Sequence, residues 1–416
     1  MYRFGQEEID AVTKVMESGQ WFRHAVVDRE GLHCKEAEQF EREWAETMGV
    51  DYACLVSSCT GALMCAYAAL GMGPGDEVII PGYTYMATAT TPLAMGVIPV
   101  IVDVDESLHI APEAIELAIT PRTRAVNPVH IAGLSCDMDR IMDIAGRHGL
   151  AVIEDVAQCP GGKWADGRRL GSIGDFGVFS FNLYKLITSG EGGAFITNRR
   201  DLYERGGIYH DSGAMFRLTA EDVKEPFFPG INLRVSDITG AIMRVQHGRM
   251  DGIIADLHRV RRYIAEGVDA TPGLQPMPYN GGMNTGTGAV LGFLFPDDAT
   301  ARSFKDQVFE TLEQLPPVVG VPCGIPRDSE KHMYTGWDII LEKRGGYNDK
   351  TNPFLHPANA DSKVEYSHDM LPRTLDILGR TVTVPINPDW TNEQADVLIS
   401  AIRDAAVMLH KDKGNR

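Results

Sequence analysis

The chain is predicted to form a large α/β unit built on a mostly parallel β-sheet with helices on both faces. Short apolar runs have the length of buried strands; they lie at 53–58, 77–82, 98–104, 123–130, 151–156, 176–181 and 194–198. Segments with helical periodicity separate the first five runs, and strands that alternate with helices are typical of a parallel sheet. The last two connections lack such a pattern, so we expect the sheet to be mixed in direction.

Helical patterns precede and connect these strands. Residues 6–18 carry apolar side chains at helical spacing and are followed by Gly19, a common helix terminator. A second pattern ends before Gly49. Further helical patterns between the strands lie at 61–70, 86–95 and 138–148. By contrast, residues 206–230 are rich in glycine and lack periodicity, and a long irregular segment inside a compact domain is usually functional.

Residues 236–267 are predicted to form one long helix. We expect this helix to join two domains. The first, residues 1–267, would comprise an N-terminal arm and a large domain that carries the sheet. The second, residues 268–416, would be a smaller C-terminal α/β domain.

The amino-acid composition limits the possible binding partners of the protein and its cellular compartment. The net charge is 39 − 57 = −18, which argues against nucleic acid or an anionic membrane as a partner. No window approaches the ~18 apolar residues of a membrane span, and the N-terminus lacks the apolar core of a signal peptide. The seven cysteines are odd in number and form no CxxC pair, which indicates free thiols in a reducing cytoplasm. No grouping of His, Cys and Asp has zinc spacing, so no metal site is predicted.

Lys185 is the strongest candidate for a reactive group. It stands between an apolar run that ends at Phe181 and a glycine-rich turn at 190–193. A lysine held near an apolar wall between a strand end and a tight turn should have a lowered pKa, as the amine of a Schiff base requires. Taken alone, the residue could equally be a solvated loop lysine.

Two carboxylates, Glu154 and Asp155, end the apolar run at 151–156. The carboxyl end of a buried parallel strand faces the ligand site in α/β proteins. A carboxylate there suits the task of holding a proton on the pyridine nitrogen of pyridoxal 5′-phosphate (PLP), so that the ring can accept electrons. Together with Lys185, on a neighbouring strand, Asp155 therefore indicates a PLP site.

With these motifs the sequence resembles the DegT/DnrJ/StrS aminotransferases. The resemblance rests on Ser180-Phe-x-x-x-Lys185, Gly190-Glu-Gly-Gly193 and Glu154-Asp155-x-x-Gln158, with further matching segments at 75–85, 128–133 and 230–234. It implies the PLP-dependent transferase fold of the aspartate aminotransferase type (fold type I), with a seven-stranded, mostly parallel sheet. It also implies that Lys185 binds PLP and moves protons, and that Asp155 keeps the ring protonated.

Phosphate binding is expected where a strand ends and a helix begins, at Cys59, Thr60 and Gly61. Backbone N–H groups at a helix start, with a nearby hydroxyl, are suited to phosphate. Members of the resembled family usually carry Gly-Thr-Ala at these three positions, so Cys59 is a departure from the pattern. Ser180 resembles the second phosphate hydroxyl of the family.

The resemblance assigns three further cofactor contacts. Tyr85 stands where the family's aromatic residue stacks on the PLP ring, with Tyr83 as the alternative. Gln158 matches the residue that hydrogen-bonds the phenolic oxygen of the cofactor. Asn232 resembles the asparagine that reaches the PLP phosphate of a partner subunit, which implies a homodimer with shared active sites.

The predicted reaction moves an amino group from glutamate or glutamine to a keto-sugar-type acceptor in amino-sugar biosynthesis. The acceptor would be a nucleotide-linked keto-sugar or a keto-ulosonate; residues 331–337 resemble enzymes that aminate an eight-carbon keto-ulosonate. Residues 19–23 instead resemble the subgroup of aminocyclitol and amino-hydroxybenzoate enzymes, so a keto-cyclitol aminotransferase of antibiotic biosynthesis is an alternative. The aromatic and basic side chains of these segments would suit an acidic sugar or ring, and surface packing explains them equally well; they are Trp21, Arg23, His332 and Trp337.

Two other functions are less favoured. A PLP-dependent sugar dehydratase of the same fold would carry histidine in place of Lys185. A non-catalytic PLP-binding regulator would have no need of Lys185, Asp155 and Gln158 together.

Overall fold

The structure, a computed structural model, describes residues 3–24, 33–215, 222–317 and 324–414. Its largest element is a seven-stranded sheet. The strands are β1 (Tyr52–Val56), β2 (Glu77–Pro81), β3 (Ile98–Val102), β4 (Thr123–Val126), β5 (Ala151–Asp155), β6 (Phe176–Ser180) and β7 (Gly193–Thr197). Each coincides with one of the apolar runs from which the sequence predicted a strand, and the predicted fold class is confirmed.

The strands of this sheet follow the order β1-β7-β6-β5-β4-β2-β3. The pairs β2–β3, β2–β4, β4–β5 and β5–β6 are parallel. β7 runs antiparallel to both of its neighbours, β1 and β6, which makes the sheet mixed as expected. β4 stops at Val126, earlier than the apolar run predicted, because Pro128 has no N–H to donate to a strand ladder.

Helices cover the sheet and continue beyond it. They are α1 (Gln6–Ser18), α2 (Glu36–Met48), α3 (Cys59–Ala69), α4 (Ala87–Ala94), α5 (Pro112–Ala118), α6 (Met138–His148), α7 (Arg200–His210), α8 (Asp237–Val268), α9 (Asp298–Leu312), α10 (Asp338–Leu341), α11 (Pro372–Gly379) and α12 (Asn392–Gly414). Short 3₁₀ helices lie at Ile131–Gly133, Pro326–Asp328, Tyr334–Gly336, Asp349–Thr351, Pro353–Leu355 and Pro357–Asn359. No helix in the described ranges is long and apolar enough to cross a membrane.

The segment expected to be irregular at 206–230 begins inside α7. Gly206 and Gly207 lie within this helix, although glycine weakens helices in general. At Gly206 the helix passes so close to the sheet that an added Cβ would lie 3.0 Å from the Phe195 ring. Tertiary packing thus overrides the local preference, and the irregular part starts at Asp211.

A second sheet lies after the long helix α8. Its strands are β8 (Gln275–Pro276), β9 (Val290–Leu294) and β10 (Thr381–Pro385), which pair antiparallel in the order β10-β9-β8. α8 contacts α1, α2 and α12, so it bridges the two ends of the chain. One buried apolar cluster includes Phe179 of the large sheet, Leu257 of α8 and Ile402 of α12. The proposed boundary at 267/268 falls at the end of α8, and the division into two domains stays a prediction.

The first testable prediction compares two leucines on helices. Leu257 on α8 is fully buried in this shared cluster, whereas the side chain of Leu117 on α5 is 87% exposed. Leu257→Ala should lower the free energy of unfolding by about 2–5 kcal/mol, because the cavity left behind cannot fully collapse. Leu117→Ala should change it by less than about 0.5 kcal/mol. Denaturant unfolding of both variants measures this difference, and equal losses would contradict the placement of α8 in the core.

Candidate active site

A cavity of about 730 Å³ opens beyond the carboxyl ends of the parallel strands, beside the start of α3. Seven of the nine residues that the sequence singled out for catalysis or cofactor binding line it: Cys59, Thr60, Tyr85, Asp155, Gln158, Ser180 and Lys185. They come from four segments of the chain: 59–60, the loop at 85, 155–158 and 180–185. The cavity therefore gathers groups that follow neighbouring strands, as expected for ligand sites in open α/β sheets.

Lys185 lies in the hairpin loop between β6 and β7. Its N–H donates to the Asn182 carbonyl at 2.9 Å, which closes a turn that carries the side chain into the cavity. Burial lowers the pKa of Lys185, and the nearby negative charge of Asp155 opposes this effect. The lowered pKa agrees in direction with the expectation from the sequence, and it increases the share of neutral, nucleophilic amine.

Asp155 ends β5 and is only 4% exposed. One carboxylate oxygen accepts the Ala157 N–H at 3.0 Å, and the other accepts the Thr88 hydroxyl at 3.1 Å. Burial raises the pKa of Asp155, while the Ala157 hydrogen bond and the charge of Lys185 counteract it. The Thr88 hydroxyl is itself within 2.8 Å of the Thr84 hydroxyl, so two buried threonines orient the carboxylate.

Cys59 contacts the same carboxylate. Its Sγ lies 4.0 Å from Oδ1 of Asp155, at the limit of a weak S–H hydrogen bond. Burial and the nearby charge of Asp155 raise the pKa of Cys59 well above its usual value. The side chain is therefore a thiol at neutral pH, which can donate to Asp155 without adding a negative charge.

The neighbouring carboxylate, Glu154, has a different role. It is fully buried and accepts three backbone N–H groups from the turn at 171–174, at 2.6 to 2.8 Å. Nε2 of His130 also lies 3.2 Å from it, and Nδ1 of His130 accepts the Cys136 N–H, so the proton of the ring is on Nε2. Because successive side chains of a strand point to opposite faces, Asp155 faces the cavity while Glu154 holds this turn.

The start of α3 has the form of an anion site. Ser58 caps the helix, and its hydroxyl accepts the Gly61 N–H at 3.0 Å. The Cys59 and Thr60 N–H groups belong to the first turn of the helix, where N–H groups have no acceptor within the helix. Both residues line the cavity, so these N–H groups and the Thr60 hydroxyl are available there as donors. Gly61 is not among the lining residues, since its N–H serves the cap. Ser180, also at the cavity, is buried at the end of β6.

The two other predicted cofactor contacts differ in exposure. Tyr85 lines the cavity, whereas Tyr83 is buried and does not, so Tyr85 is the ring available to a ligand. The Gln158 side-chain oxygen accepts the Ala132 N–H at 2.9 Å. This bond orients the amide, and its NH₂ group is left as the donor that Gln158 can offer to the cavity.

Asn232 lies outside the cavity of its own chain. It is exposed, and its side-chain oxygen accepts the Arg234 N–H at 3.1 Å. The adjacent Leu233 carbonyl accepts the Ser57 N–H at 2.9 Å, which ties this segment to the loop before α3. The assignment of Asn232 to a partner's site remains a prediction.

Several cavity residues were not predicted from the sequence. Three of the four side chains suggested for the substrate do not line the cavity: Trp21, Arg23 and Trp337. Thr84 and Thr88 follow the carboxyl end of β2, a position from which the topology rule could have identified them. Lys331, which was not predicted, also lines the cavity, and so does His332, which the sequence suggested for the substrate. Trp337, suggested with His332, is fully buried and donates its indole N–H to the Lys331 carbonyl. Arg23 is buried in an ion pair with Glu41, which explains its position without a substrate.

Residues 3–315 match the model of the DegT/DnrJ/EryC1/StrS aminotransferase family. The chain belongs to this family. The spore coat polysaccharide biosynthesis protein SpsC of Bacillus subtilis is 31% identical over 412 residues, which cover 96% of this chain and 94% of SpsC. An L-glutamine:2-deoxy-scyllo-inosose aminotransferase of Streptoalloteichus tenebrarius is 36% identical over 301 residues, 70% of this chain and 69% of that enzyme. The crystal structure of 3-amino-5-hydroxybenzoic acid synthase covers 98% of both chains, with a TM-score of 0.76 at 25% identity.

As a member of the DegT/DnrJ/EryC1/StrS family, the protein is a PLP-dependent aminotransferase. The donor set of the cavity fits this cofactor. An anion site at the start of α3, the Asp155 carboxylate and the Lys185 amine line one cavity. These are the groups required by a phosphate, a protonated ring nitrogen and an aldehyde.

The second testable prediction concerns Thr88. Thr88→Val removes a hydroxyl that donates to the charged form of Asp155, so the pKa of Asp155 should rise further. A carboxyl group loses its charge as the pH falls through its pKa. The acidic limb of the amino-transfer rate should therefore move to higher pH by about one pH unit.

The matched control is Thr90→Val, two residues after Thr88 on α4. It makes the same chemical change, but the Thr90 side chain forms no described hydrogen bond. The pH dependence of this variant should equal that of the wild type. An unchanged acidic limb in Thr88→Val would show that the hydroxyl does not stabilise the Asp155 charge.

Proposed function

We propose that this aminotransferase transfers the amino group of glutamine or glutamate to a keto-sugar-type acceptor in amino-sugar biosynthesis. The observation that carries the proposal is the single cavity in which Lys185, Asp155 and the start of α3 meet. Similarity to SpsC, named for polysaccharide biosynthesis, supports a sugar acceptor. Similarity to an aminotransferase named for L-glutamine supports that donor.

Lys185 and Asp155 would have different roles in the amino transfer. PLP, when bound, supplies an electron-accepting ring that stabilises negative charge at the carbon that gains or loses the amino group. Lys185 would hold the cofactor covalently and, once released, carry a proton to and from the substrate carbon. Asp155 would keep the proton on the ring nitrogen. Its burial, which excludes water, strengthens that interaction.

Other residues would orient the cofactor. The N–H groups at the start of α3, the Thr60 hydroxyl and Ser180 would bind the phosphate. Gln158 would donate from its NH₂ group to the phenolic oxygen, and Tyr85 would stack on the ring face, worth roughly 1 kcal/mol.

A homodimer with shared active sites is part of the proposal. Asn232 would reach the phosphate in the partner's cavity, since it is exposed and lies outside its own. Three large apolar side chains near the cavity or near Asn232 are also exposed and would gain burial against a second copy: Leu183, Tyr184 and Ile231.

A keto-cyclitol acceptor is the second candidate, supported by the similarity to a 2-deoxy-scyllo-inosose aminotransferase. We also propose a cytoplasmic location and no nucleic-acid or membrane partner, on the basis of the free thiols expected from the sequence and the net charge of −18.

The third testable prediction concerns Lys185. Borohydride treatment of the loaded enzyme should attach the cofactor irreversibly to a peptide that contains Lys185, detected by mass spectrometry after denaturation. Glutamine, added first without an acceptor, should protect against attachment because the cofactor then leaves the enzyme amine. Lys185→Ala should show neither effect, while Lys350→Ala, which removes an exposed lysine, should behave as wild type. A reducible adduct in Lys185→Ala would contradict the assignment.

The fourth testable prediction is active-site sharing. Refolding Lys185→Ala together with Asn232→Ala should restore about a quarter of wild-type activity, since half of the dimers are then hybrids with one intact site. A mixture of Lys185→Ala with the double variant Lys185→Ala/Asn232→Ala contains no intact site and should stay inactive. Hybrid dimers without activity, or a fully active monomer at high dilution, would rule out shared sites.

A further inference from the structure

One cationic side chain of the cavity, that of Lys331, takes no part in the assignments above. Among the described residues that line the cavity, only Lys185 and Lys331 carry a positively ionisable amine. Lys185 is half-buried, whereas Lys331 is exposed and so belongs to the outer part of the cavity. A cation in this position is available to a ligand that extends outward from the reacting carbon.

The backbone of Lys331 is fixed to the cavity wall. Its carbonyl accepts the Met86 N–H at 3.0 Å and the Trp337 indole N–H at 3.2 Å. The next carbonyl, of His332, accepts the Thr84 N–H at 2.9 Å. These bonds attach the segment to the loop after β2, next to Tyr85. The backbone that carries the Lys331 amine is therefore held in place.

The charge of Lys331 is not neutralised by a described carboxylate, since none lies within ion-pair distance of its amine in the ranges that the structure describes. The two carboxylates of the cavity have other partners. Asp155 accepts from Ala157 and Thr88, and Glu191 accepts the Asn182 side-chain N–H at 2.9 Å.

His332 lines the cavity together with the two lysines. Burial and the charges of both Lys185 and Lys331 lower the pKa of His332 to about 4. At neutral pH the imidazole of His332 is thus uncharged. The His332 and Tyr85 rings both line the cavity, with their centroids 5.6 Å apart. Together they form an uncharged surface that suits the C–H face of a sugar.

We propose that Lys331 binds a carboxylate or phosphate of the acceptor, and that the enzyme thereby selects anionic ketones over neutral ones. The proposal rests on the aminotransferase function proposed above and specifies its acceptor. With the ketone carbon at Lys185, a sugar ring would pass His332 and Tyr85 and place its anionic group at Lys331. The α-carboxylate of the amino donor is adjacent to the reacting carbon, so it would not extend past His332 to this amine.

The experiment separates the two half-reactions in the PLP-loaded enzyme. Lys331→Met keeps the length of the side chain and removes its charge, and Lys331→Arg retains the charge. Lys350→Met is the control for loss of an exposed lysine elsewhere. Conversion of the cofactor by glutamine, followed by its absorbance, should be the same in all four proteins. If neither glutamine nor glutamate converts the cofactor in the wild type, the proposed function itself is refuted, independently of Lys331.

The acceptor half-reaction is then measured with a keto-ulosonate, a nucleoside-diphosphate-linked keto-sugar and the neutral 2-deoxy-scyllo-inosose. Lys331→Met should raise KM for the anionic ketone by about 10- to 100-fold with kcat nearly unchanged, because one charge-assisted hydrogen bond is lost. Lys331→Arg should restore most of the affinity, and KM for the neutral ketone should not change. Which of the two anionic ketones responds distinguishes a carboxylate from a diphosphate.

Binding provides a readout independent of turnover. Calorimetric titration with galacturonate, glucose 1-phosphate and glucose should show tighter binding of at least one anionic sugar to the wild type, lost in Lys331→Met. If neither anionic sugar binds more tightly than glucose, or if Lys331→Met slows the glutamine half-reaction and leaves the acceptor KM unchanged, the proposal is wrong.

Discussion

The buried carboxylate of Glu154 determines how the two halves of the site meet. It binds three backbone N–H groups of the turn at 171–174, which leads into β6. The segment that connects β5 to β6 contains no helix, and this turn lies at its end. Because the turn is held by Glu154, β6 lies parallel and adjacent to β5. Asp155 at the end of one strand and Lys185 just beyond the other therefore face the same cavity. An uncompensated charge at Glu154 would be costly, and its four hydrogen-bond partners remove that cost.

The cavity uses burial to adjust two opposite charges. Burial raises the pKa of Asp155 and lowers that of Lys185, so it acts against the charged form of each group. The attraction between the two charges, and the hydrogen bonds from Thr88 and Ala157, act in the other direction. A negatively charged Cys59 would upset this balance, and burial next to Asp155 keeps it a neutral thiol.

Much of the fold could be predicted from the sequence because buried parallel strands are short, continuous apolar runs. The early end of β4 and the helical start of the segment at 206–230 were missed, since each depends on one local feature: Pro128 in one case, and the approach of Gly206 to Phe195 in the other.

The site was predictable where function imposes a fixed spacing along the chain. Lys185, Asp155 and Gln158 belong to short motifs, and the structure places all three at one cavity. Lys331 could not be assigned in this way, because its position depends on backbone bonds to a loop far away in sequence. Trp337 was suggested for the substrate because it is an aromatic residue in the same segment. The structure instead shows it as a buried core residue. Asn232 lies outside its own cavity, and its assignment to a partner's site rests on the resemblance to the family.

The position of β7 in the sheet determines when the site can form during translation. β1 lies at the edge of the sheet, and its only neighbour there is β7. While the ribosome synthesises the chain, β1 emerges early but has no partner until residue 197 has left the exit tunnel. The start of α3 follows β1 directly, and the Lys185 loop joins β6 to β7. The anion-binding turn and the reactive amine thus come together only after nearly half of the chain has been translated, and a nascent polypeptide shorter than this cannot capture the coenzyme.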